Sequence, residues 1–319
     1  MKQYDVIIVN YNGEKIICDC LDSLYNSIVL PDKVIIYDNA SQDNSVQIIS
    51  EKYPKVILVA GKENLGFGRA NNEAMKYSTS EFILFMNNDI ILNKNCSQEL
   101  LKGFSGKNLA VINPLIFKGW DKNKVHHVYS FGAVINRSGF GYSLYNTEPD
   151  RDDLTCFSGA CFLAKSHIIK KLQFEKSFFL YYEEIDLSIK MLIGGYSIGR
   201  RSRAKCYHLE NYSSPQKKAD GVCFRQYYAI QNHWFILGKF WPTGELLLAM
   251  PLSILHLSFN LLLFVRHNKI SQISIAKLAF ESLLRGRKEY KKKLTHDWVK
   301  YLASNNLKKV FGLLKKVYR

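Results

Sequence analysis

The 319-residue sequence has seven cysteines but no Cys-x-x-Cys pair. An odd count without paired spacing excludes a disulfide framework and fits a reducing compartment. Its one close pair, Cys18-x-Cys20, falls in an apparent helix. Residues two apart there do not share a face, so no zinc site is expected. The opening MKQYDVIIVN has neither a long apolar stretch nor a cleavage site. No signal peptide is expected, and the VIIV run is short enough for a buried strand. There is no internal repeat and no low-complexity tract. Zinc-finger spacing and RNA-recognition signatures are also missing, so the sequence argues against a nucleic-acid partner. Acidic residues are scarce, 28 Asp and Glu against 44 Lys and Arg, giving a net charge of +16.

That surplus calls for an anionic partner: a nucleotide, a nucleic acid or a membrane surface. It is unevenly spread. Residues 285–319 hold twelve Lys and Arg against Glu289 and Asp297, a net of +10. The bland reading of such a run is a solvated helix face. With 47% hydrophobic residues the bulk of the chain is globular, and its length suffices for more than one domain.

The first hundred residues alternate apolar β-rich runs with helical spacing. Strands are expected at 5–9, 33–37, 56–60 and 81–86, and helices at 14–26, 41–52 and 68–77. This order implies an α/β fold, a Rossmann-like and mostly parallel sheet with helices on both faces. Such sheets bind ligands at the carboxyl ends of their strands. Beyond them a helix near 96–104 and a strand near 110–115 are expected, then irregular or hairpin structure around 126–145. Residues 140–155 read as a mobile polar loop. A strand follows within 157–165, then helices at 166–172 and 182–192.

Polar clusters follow the strand ends with regularity: Asn10-Tyr11-Asn12-Gly13, Asp38-Asn39-Ala40-Ser41, Glu63-Asn64-Leu65-Gly66-Phe67-Gly68 and Asn87-Asn88-Asp89. One such loop is ordinary turn chemistry; four on one sheet edge look like a site. In the run ILFMNNDIIL the three polar residues interrupt a buried strand and its continuation, where unpaired polar groups are costly. Asp89 can coordinate a hard divalent cation through oxygen, with help from Asn87. The alternative is a turn with local Asx hydrogen bonds.

A second cluster, Tyr181-Tyr182-Glu183-Glu184-Ile185-Asp186, sets three carboxylates on an aromatic background. Burial there raises a carboxyl pKa toward the range of a general base. Acids at a helix N-terminus also complement the macrodipole. Glu184 and Asp186 both stand as candidate bases. His208 can add a nitrogen ligand to the same cation, although a lone histidine is more often structural. Arg200, Arg201 and Arg203 would either neutralise a diphosphate or form a solvated strand face.

The segments VIIVNYNG, IYDNASQDNS, ENLGFGRANN, LFMNNDI, SGACFLAK, FFLYYEEIDLSIKMLIGGYSI and AKCYHLENYSS occur in the order of the family-2 glycosyltransferases with a GT-A fold. The pattern resembles the bacterial rhamnosyltransferase-like branch that builds surface polysaccharides. It covers residues 3 to 215. The resemblance implies that Tyr11 and Asn10 sit against the nucleobase and that Asp38 binds the base or ribose. Asn64, Gly66 and Arg69 would lie along the nucleotide and its phosphates, Asn87 and Asn88 beside the donor. Asp89 would be the ligand of Mg²⁺ or Mn²⁺, with His208 assisting. Gly159 and Ala160 would let backbone approach the sugar. Glu184 stands at the place of the usual catalytic Asp, and Glu183 at the acid before it. Two departures stand out: Asn87 replaces the first acid of the Asp-x-Asp pattern, and Glu184 is one methylene longer than the usual base.

The resemblance further implies an inverting transfer from a nucleotide-diphospho-sugar to a lipid-linked (polyprenyl diphosphate) saccharide. dTDP-rhamnose is the favoured donor. UDP-galactofuranose, UDP-glucose or UDP-N-acetylglucosamine is the alternative. A non-catalytic nucleotide-sugar binder or a nucleic-acid binder is the competing class. Residues 1–224 are expected to form the catalytic domain. Residues 225–319 are expected to form a helical, basic region associating with an anionic membrane surface at the cytoplasmic face. Its apolar stretch 245–265 is open to three readings: an in-plane helix, buried core or a membrane span.

Overall fold

The computed structural model describes residues 2–106, 108–119, 127–145, 149–209, 219–266 and 272–289, with Leu294, Val299 and Leu302 as single positions. The chain divides into two compact units: Met1–Ala133 with Ser143–Pro215, and Val134–Tyr142 with Gln216–Arg319.

The first unit is built on four parallel strands, β1 (Tyr4–Asn10), β2 (Lys33–Asp38), β3 (Ile57–Ala60) and β4 (Phe82–Asn87). Helices α1 (Ile17–Tyr25), α2 (Ser45–Lys52) and α3 (Gly66–Ala74) connect them. Val6, Ile7, Ile8, Ile35, Ile36, Ile83 and Leu84 are all buried. A strand covered on both faces needs such an unbroken apolar run rather than an alternating one. Each fully buried Leu, Ile or Val side chain adds about 1.5–3 kcal/mol.

The strand order is β3-β2-β1-β4. The chain steps outward from β1 to β2 and β3, then returns to β1's other side, so the order reverses between β1 and β4. A crevice opens at such a reversal, outside the carboxyl ends of the strands. Register then fixes what stands there. Asn10 lies opposite Asp38, and Val9 opposite Asn87.

Past β4 the sheet turns mixed, which corrects the expectation of a mostly parallel one. β5 (Ile90–Leu92) is followed by α4 (Cys96–Gly103), β6 (Leu109–Lys118), β7 (Val128–Ser130), β8 (Ala133–Ile135), β9 (Gly141–Ser143), β10 (Arg151–Leu154) and β11 (Cys161–Lys165). Then come α5 (Ser166–Leu172), α6 (Glu183–Ile193) and β12 (Ser197–His208). β11 runs antiparallel to both β4 and β6, β12 is parallel to β6, and β10 is antiparallel to β12. Residues 140–155, expected as a mobile loop, thus supply β9 and β10 among the described residues. Ile90–Leu92 does not continue β4 but pairs antiparallel with the end of β12, His208 opposite Ile90.

In the second unit, α7 (Ala219–Phe240), α8 (Thr243–Arg266) and α9 (Gln272–Glu289) are the helices. The expected division at residue 224 falls inside α7. Ile230, Phe235, Ile236, Leu237, Phe240 and Trp241 are buried there. Among the described residues, no helix is long and apolar enough to cross a membrane. The expected basic tail lies mostly outside them.

Candidate active site

The loops after β1 and β2 are laced together by amides and hydroxyls. Asn10 Nδ2 donates to Asp38 Oδ1 at 2.8 Å, to Ser45 Oγ at 3.0 Å and to Ser41 Oγ at 3.3 Å. Asn88 Nδ2 returns a bond to Asn10 Oδ1 at 2.9 Å. Asp38 also accepts from the Ser41 hydroxyl and backbone N–H, at 2.6 and 2.9 Å. Asn10, Asp38 and Asn88 are buried, and this mutual satisfaction makes their burial tolerable. Gly13 closes the knot, because a Cβ there would lie 2.2 Å from Asn10 Oδ1. Tyr11, next to Asn10, is half-buried.

The third loop joins through Asn39. Its Nδ2 donates to the Gly66 carbonyl at 3.1 Å, and its Oδ1 accepts from Leu65 N–H at 2.8 Å. Asn64 Oδ1 accepts from Gly66 N–H at 2.9 Å. Gly66 has a φ of +76°, and a Cβ there would lie 2.0 Å from the Phe179 carbonyl oxygen. Phe67 N–H donates to that same oxygen at 3.1 Å. The start of α3 is thereby pinned to the segment leading into α6. Arg69, one turn on, is largely exposed and lies 3.8 Å from Glu63.

Immediately before α6, Tyr181 and Tyr182 have φ of 70° and 73°. Bulky residues rarely adopt this left-handed conformation, and its strain concentrates at functional positions. It turns the chain so that Glu183, Glu184 and Asp186 form the helix's first turn. Their fates differ. Asp186 is fully buried and sits 2.7 Å from Lys190 Nζ. Glu183 is buried, and its Oε1 has no hydrogen-bond partner. Burial and the neighbouring Glu184 push its pKa from 4.5 up to about 8. Glu184 is half-buried, and its surroundings raise its pKa as well. Two carboxyls this close cannot both ionise freely near neutrality, so they titrate as a pair.

Gly159 stands beside Glu184: a Cβ at Gly159 would meet Glu184 Cβ at 3.8 Å. Its loop is anchored from below by Asn113. This fully buried amide donates to the Ser158 and Cys161 carbonyls at 3.0 and 2.8 Å and accepts from Ser158 N–H at 2.9 Å. The Ala160 carbonyl accepts from Asn87 N–H at 3.0 Å. The contacts therefore run in a closed circuit. They pass from Asn88 to Asn10, Asp38 and Asn39, through Gly66 and Phe179 to α6, then from Ser188 Oγ to the Phe157 N–H at 3.4 Å, and along that segment to the Ala160 carbonyl and Asn87.

Asp89 and His208 complete the β4 end. Antiparallel pairing of β5 with β12 brings them together, with His208 Nε2 3.0 Å from Asp89 Oδ1. Both side chains are buried, and apart from this contact neither Asp89 Oδ1 nor His208 Nδ1 has a hydrogen-bond partner among the described residues. A buried carboxylate oxygen facing an imidazole at this distance suits two donors aimed at one ion. Ligands of a single small divalent cation, each about 2.1 Å from it, stand about 3 Å apart. A mixed oxygen and nitrogen set suits Mn²⁺ and is compatible with Mg²⁺. No third His, Cys, Asp or Glu joins them among the described residues, so remaining positions would fall to substrate oxygens and water.

The model of Glycosyl transferase family 2 matches residues 5–207. The chain belongs to that family. The resemblance drawn from the ordered motifs is thus borne out. Among named family relatives, the low-salt glycan biosynthesis hexosyltransferase Agl10 of Haloferax volcanii is 24% identical over 200 residues, 61% of this chain and 63% of that protein. The O-antigen chain rhamnosyltransferase WbaN of Salmonella anatum is 24% identical over 195 residues, 59% of each chain. The alignments thus span about three fifths of those relatives' own lengths.

Solved structures share the GT-A fold. TarS 1–349 of S. aureus superposes with a TM-score of 0.58 at 16% identity, over 90% of this chain and 81% of that one. The mannosyltransferase PcManGT of Pyrobaculum calidifontis, in complex with GDP-Man and Mn²⁺, gives 0.55 at 16%, over 88% and 87%.

The arginines were open to two readings, a diphosphate clamp or a solvated strand face, and Arg200 and Arg201 are instead bonded within the protein. Arg200 is fully buried, stacked over Phe131 at 4.4 Å and bonded to the Phe131 and Pro149 carbonyls. Arg201 pairs with Asp152 and with the Gly103 carbonyl. Arg203 lines a separate surface cleft of about 400 Å³ with Asn93, Asn95, Glu99 and Lys205. Asn113 escaped the sequence reading, and Asn39 entered it only as a member of a polar cluster. The signal for Asn113 was there: a lone amide before Pro114 inside the apolar run LAVINPLIF, a place where a polar group must have a partner.

Proposed function

We propose that this chain is an inverting glycosyltransferase of surface polysaccharide biosynthesis. It would move a sugar, best read as rhamnose from dTDP-rhamnose, to a hydroxyl of a glycan carried on polyprenyl diphosphate. The work would take place at the cytoplasmic face of the membrane. One observation carries the reading. Glu184, part-exposed and with a raised pKa, stands beside the Gly159–Ala160 segment whose other side is bonded to Asn87. Family membership, a relative named as a rhamnosyltransferase and a fold neighbour holding a nucleotide sugar with Mn²⁺ support it.

Asp89 and His208 would hold Mg²⁺ or Mn²⁺; bound there, the ion offsets charge on the leaving diphosphate. The protein's own groups do the rest. The Asn10, Asp38 and Asn88 network sets the backbone that receives the nucleotide. Gly159, lacking a side chain, leaves room for the sugar. Glu184 takes the proton of the acceptor hydroxyl as its oxygen attacks the anomeric carbon opposite the diphosphate. The new C–O bond forms as the bond to the diphosphate oxygen breaks, and the nucleoside diphosphate leaves with that electron pair. A raised pKa suits the task, since a base working near neutrality should bind its proton with matching strength. Glu183, whose carboxyl pKa is pushed up to about 8 by burial and by Glu184, shares the proton of the pair. Asp186 is withdrawn onto Lys190 and is not available to an acceptor.

The test is a donor screen with a membrane lipid extract, following nucleoside diphosphate release from dTDP-rhamnose beside UDP-sugars. One donor should turn over, with its sugar recovered in the lipid fraction. Turnover of a UDP-sugar alone would replace the donor assignment. Donor binding without transfer from any donor would favour the non-catalytic reading.

A further inference from the structure

Helix α8 has two faces of opposite character. Leu246, Ala249 and Ser253 are buried against the second unit, and Ser253 Oγ lies 3.1 Å from His233 Nε2. The other face carries Leu247, Leu248, Ile254 and Leu255, exposed by 68, 62, 49 and 44%, with Pro251 between them. These positions fall one and two turns apart, so they form one ridge. From Thr243 up to Arg266 the only Asp, Glu, Lys or Arg is Glu245, and it is buried against Arg137. The ridge thus offers water large aliphatic groups and no charge, which marks an interaction surface.

The sequence indicates what meets it. The stretch after α8 is strongly basic, with a net of +10 over residues 285–319. Within it Leu307, Val310, Phe311, Leu314 and Val317 recur three and four apart. Lys308, Lys309, Lys315, Lys316 and Arg319 stand among them. Apolar side chains beside dense positive charge match an anionic bilayer interface, where tails take the one and headgroups attract the other. A second protein would need acidic complementarity over the tail and an apolar groove for the ridge at once. No described helix can cross the bilayer, so the fitting geometry is a helix lying in the plane.

We infer that the Leu247, Leu248, Ile254 and Leu255 face of α8 is the surface by which this protein seats in an anionic lipid interface. The inference rests on the membrane reading given above and names its contact. In the seated state the four side chains enter the acyl boundary.

The full chain is sedimented with vesicles of phosphatidylglycerol and phosphatidylethanolamine, and separately with phosphatidylcholine alone. L247E/L255E should lower binding to the anionic vesicles about tenfold or more. Its melting temperature and its turnover of donor should stay unchanged, because both positions face solvent. The milder L248S/I254S should lower binding about three- to fivefold, which covers any folding defect of the first pair. Wild-type protein that fails to bind anionic vesicles would overturn the membrane reading itself. Wild-type binding that both variants retain would overturn this face alone. Self-association in ultracentrifugation that L247E/L255E abolishes, with lipid binding unmoved, would assign the ridge to a second copy and overturn the inference too.

Discussion

The two sides of the site treat buried polar groups in opposite ways. On the side of β1 and β2, the Asn10, Asp38 and Asn88 side chains all find partners within the protein. On the side of α6 and the β4 end, Glu183 Oε1 is buried without a hydrogen bond and Asp89 Oδ1 has the His208 imidazole beside it, while two tyrosines in a left-handed backbone lead into α6. A satisfied amide network is a scaffold, rigid and chemically quiet. Unspent oxygens are costly in the free protein and become useful only when something arrives. Under the proposed function, the contrast would separate residues that shape the pocket from residues that act in it.

Substitutions should divide along the same line. Glu184→Gln removes the proposed base while keeping shape, so transfer should fall by about 10²–10⁴-fold while donor affinity, followed by fluorescence titration, stays near wild type. Near-full turnover would remove Glu184 from the role. Asp89→Asn keeps volume but removes charge. Its turnover should fall by more than about 100-fold, beyond what a ligand's outer partner costs, and stability in urea should hold or rise. A loss of stability with activity intact would make Asp89 a scaffold residue instead. Asn10→Ala should do the reverse of these two. It strands partners on Asp38, Ser45 and Asn88 and should cost about 2–4 kcal/mol in urea unfolding.

The smallest effect is one of pH. Glu183 holds its proton up to about pH 8 when folded, against 4.5 otherwise. Between those values the unfolded chain binds fewer protons, so this group lowers stability as pH rises. Glu183→Gln should melt like wild type near pH 4.5 and on the order of 3–6 °C higher at pH 8. An equal gain at both pH values would mean that the carboxyl's ionisation is not the cause.

What could be read from the residues follows from how local each signal is. The parallel strands announce themselves because burial on both faces demands runs such as VIIV and ILFM. The polar residues at their ends were legible because a turn and a site use the same side chains in the same place. The other half of the sheet hid its partners. β12 carries Arg200, Arg201 and Arg203, which look like a solvated or anion-binding run until Phe131, Pro149 and Asp152 are placed beside them. β10, with Asp152 and Asp153, looked like a loop for the matching reason. Arg201 of one strand is answered by Asp152 of the other, and neither segment shows that alone. Of the three acids on α6, spacing gave no rank. Lys190, one turn on, occupies Asp186, and the left-handed tyrosine pair that orients the helix has no signature in composition.

The meeting of β5 with the tail end of β12 also sets a timetable. Asp89 and His208 are separated by roughly 120 residues of chain. At ordinary elongation speeds of about 5–20 residues per second, the histidine leaves the ribosome some 6–24 seconds after the aspartate. A nascent chain can therefore have β1 to β4 folded while Asp89 still lacks its imidazole, so early release yields a body with the strand-end loops in place and that buried carboxylate unanswered.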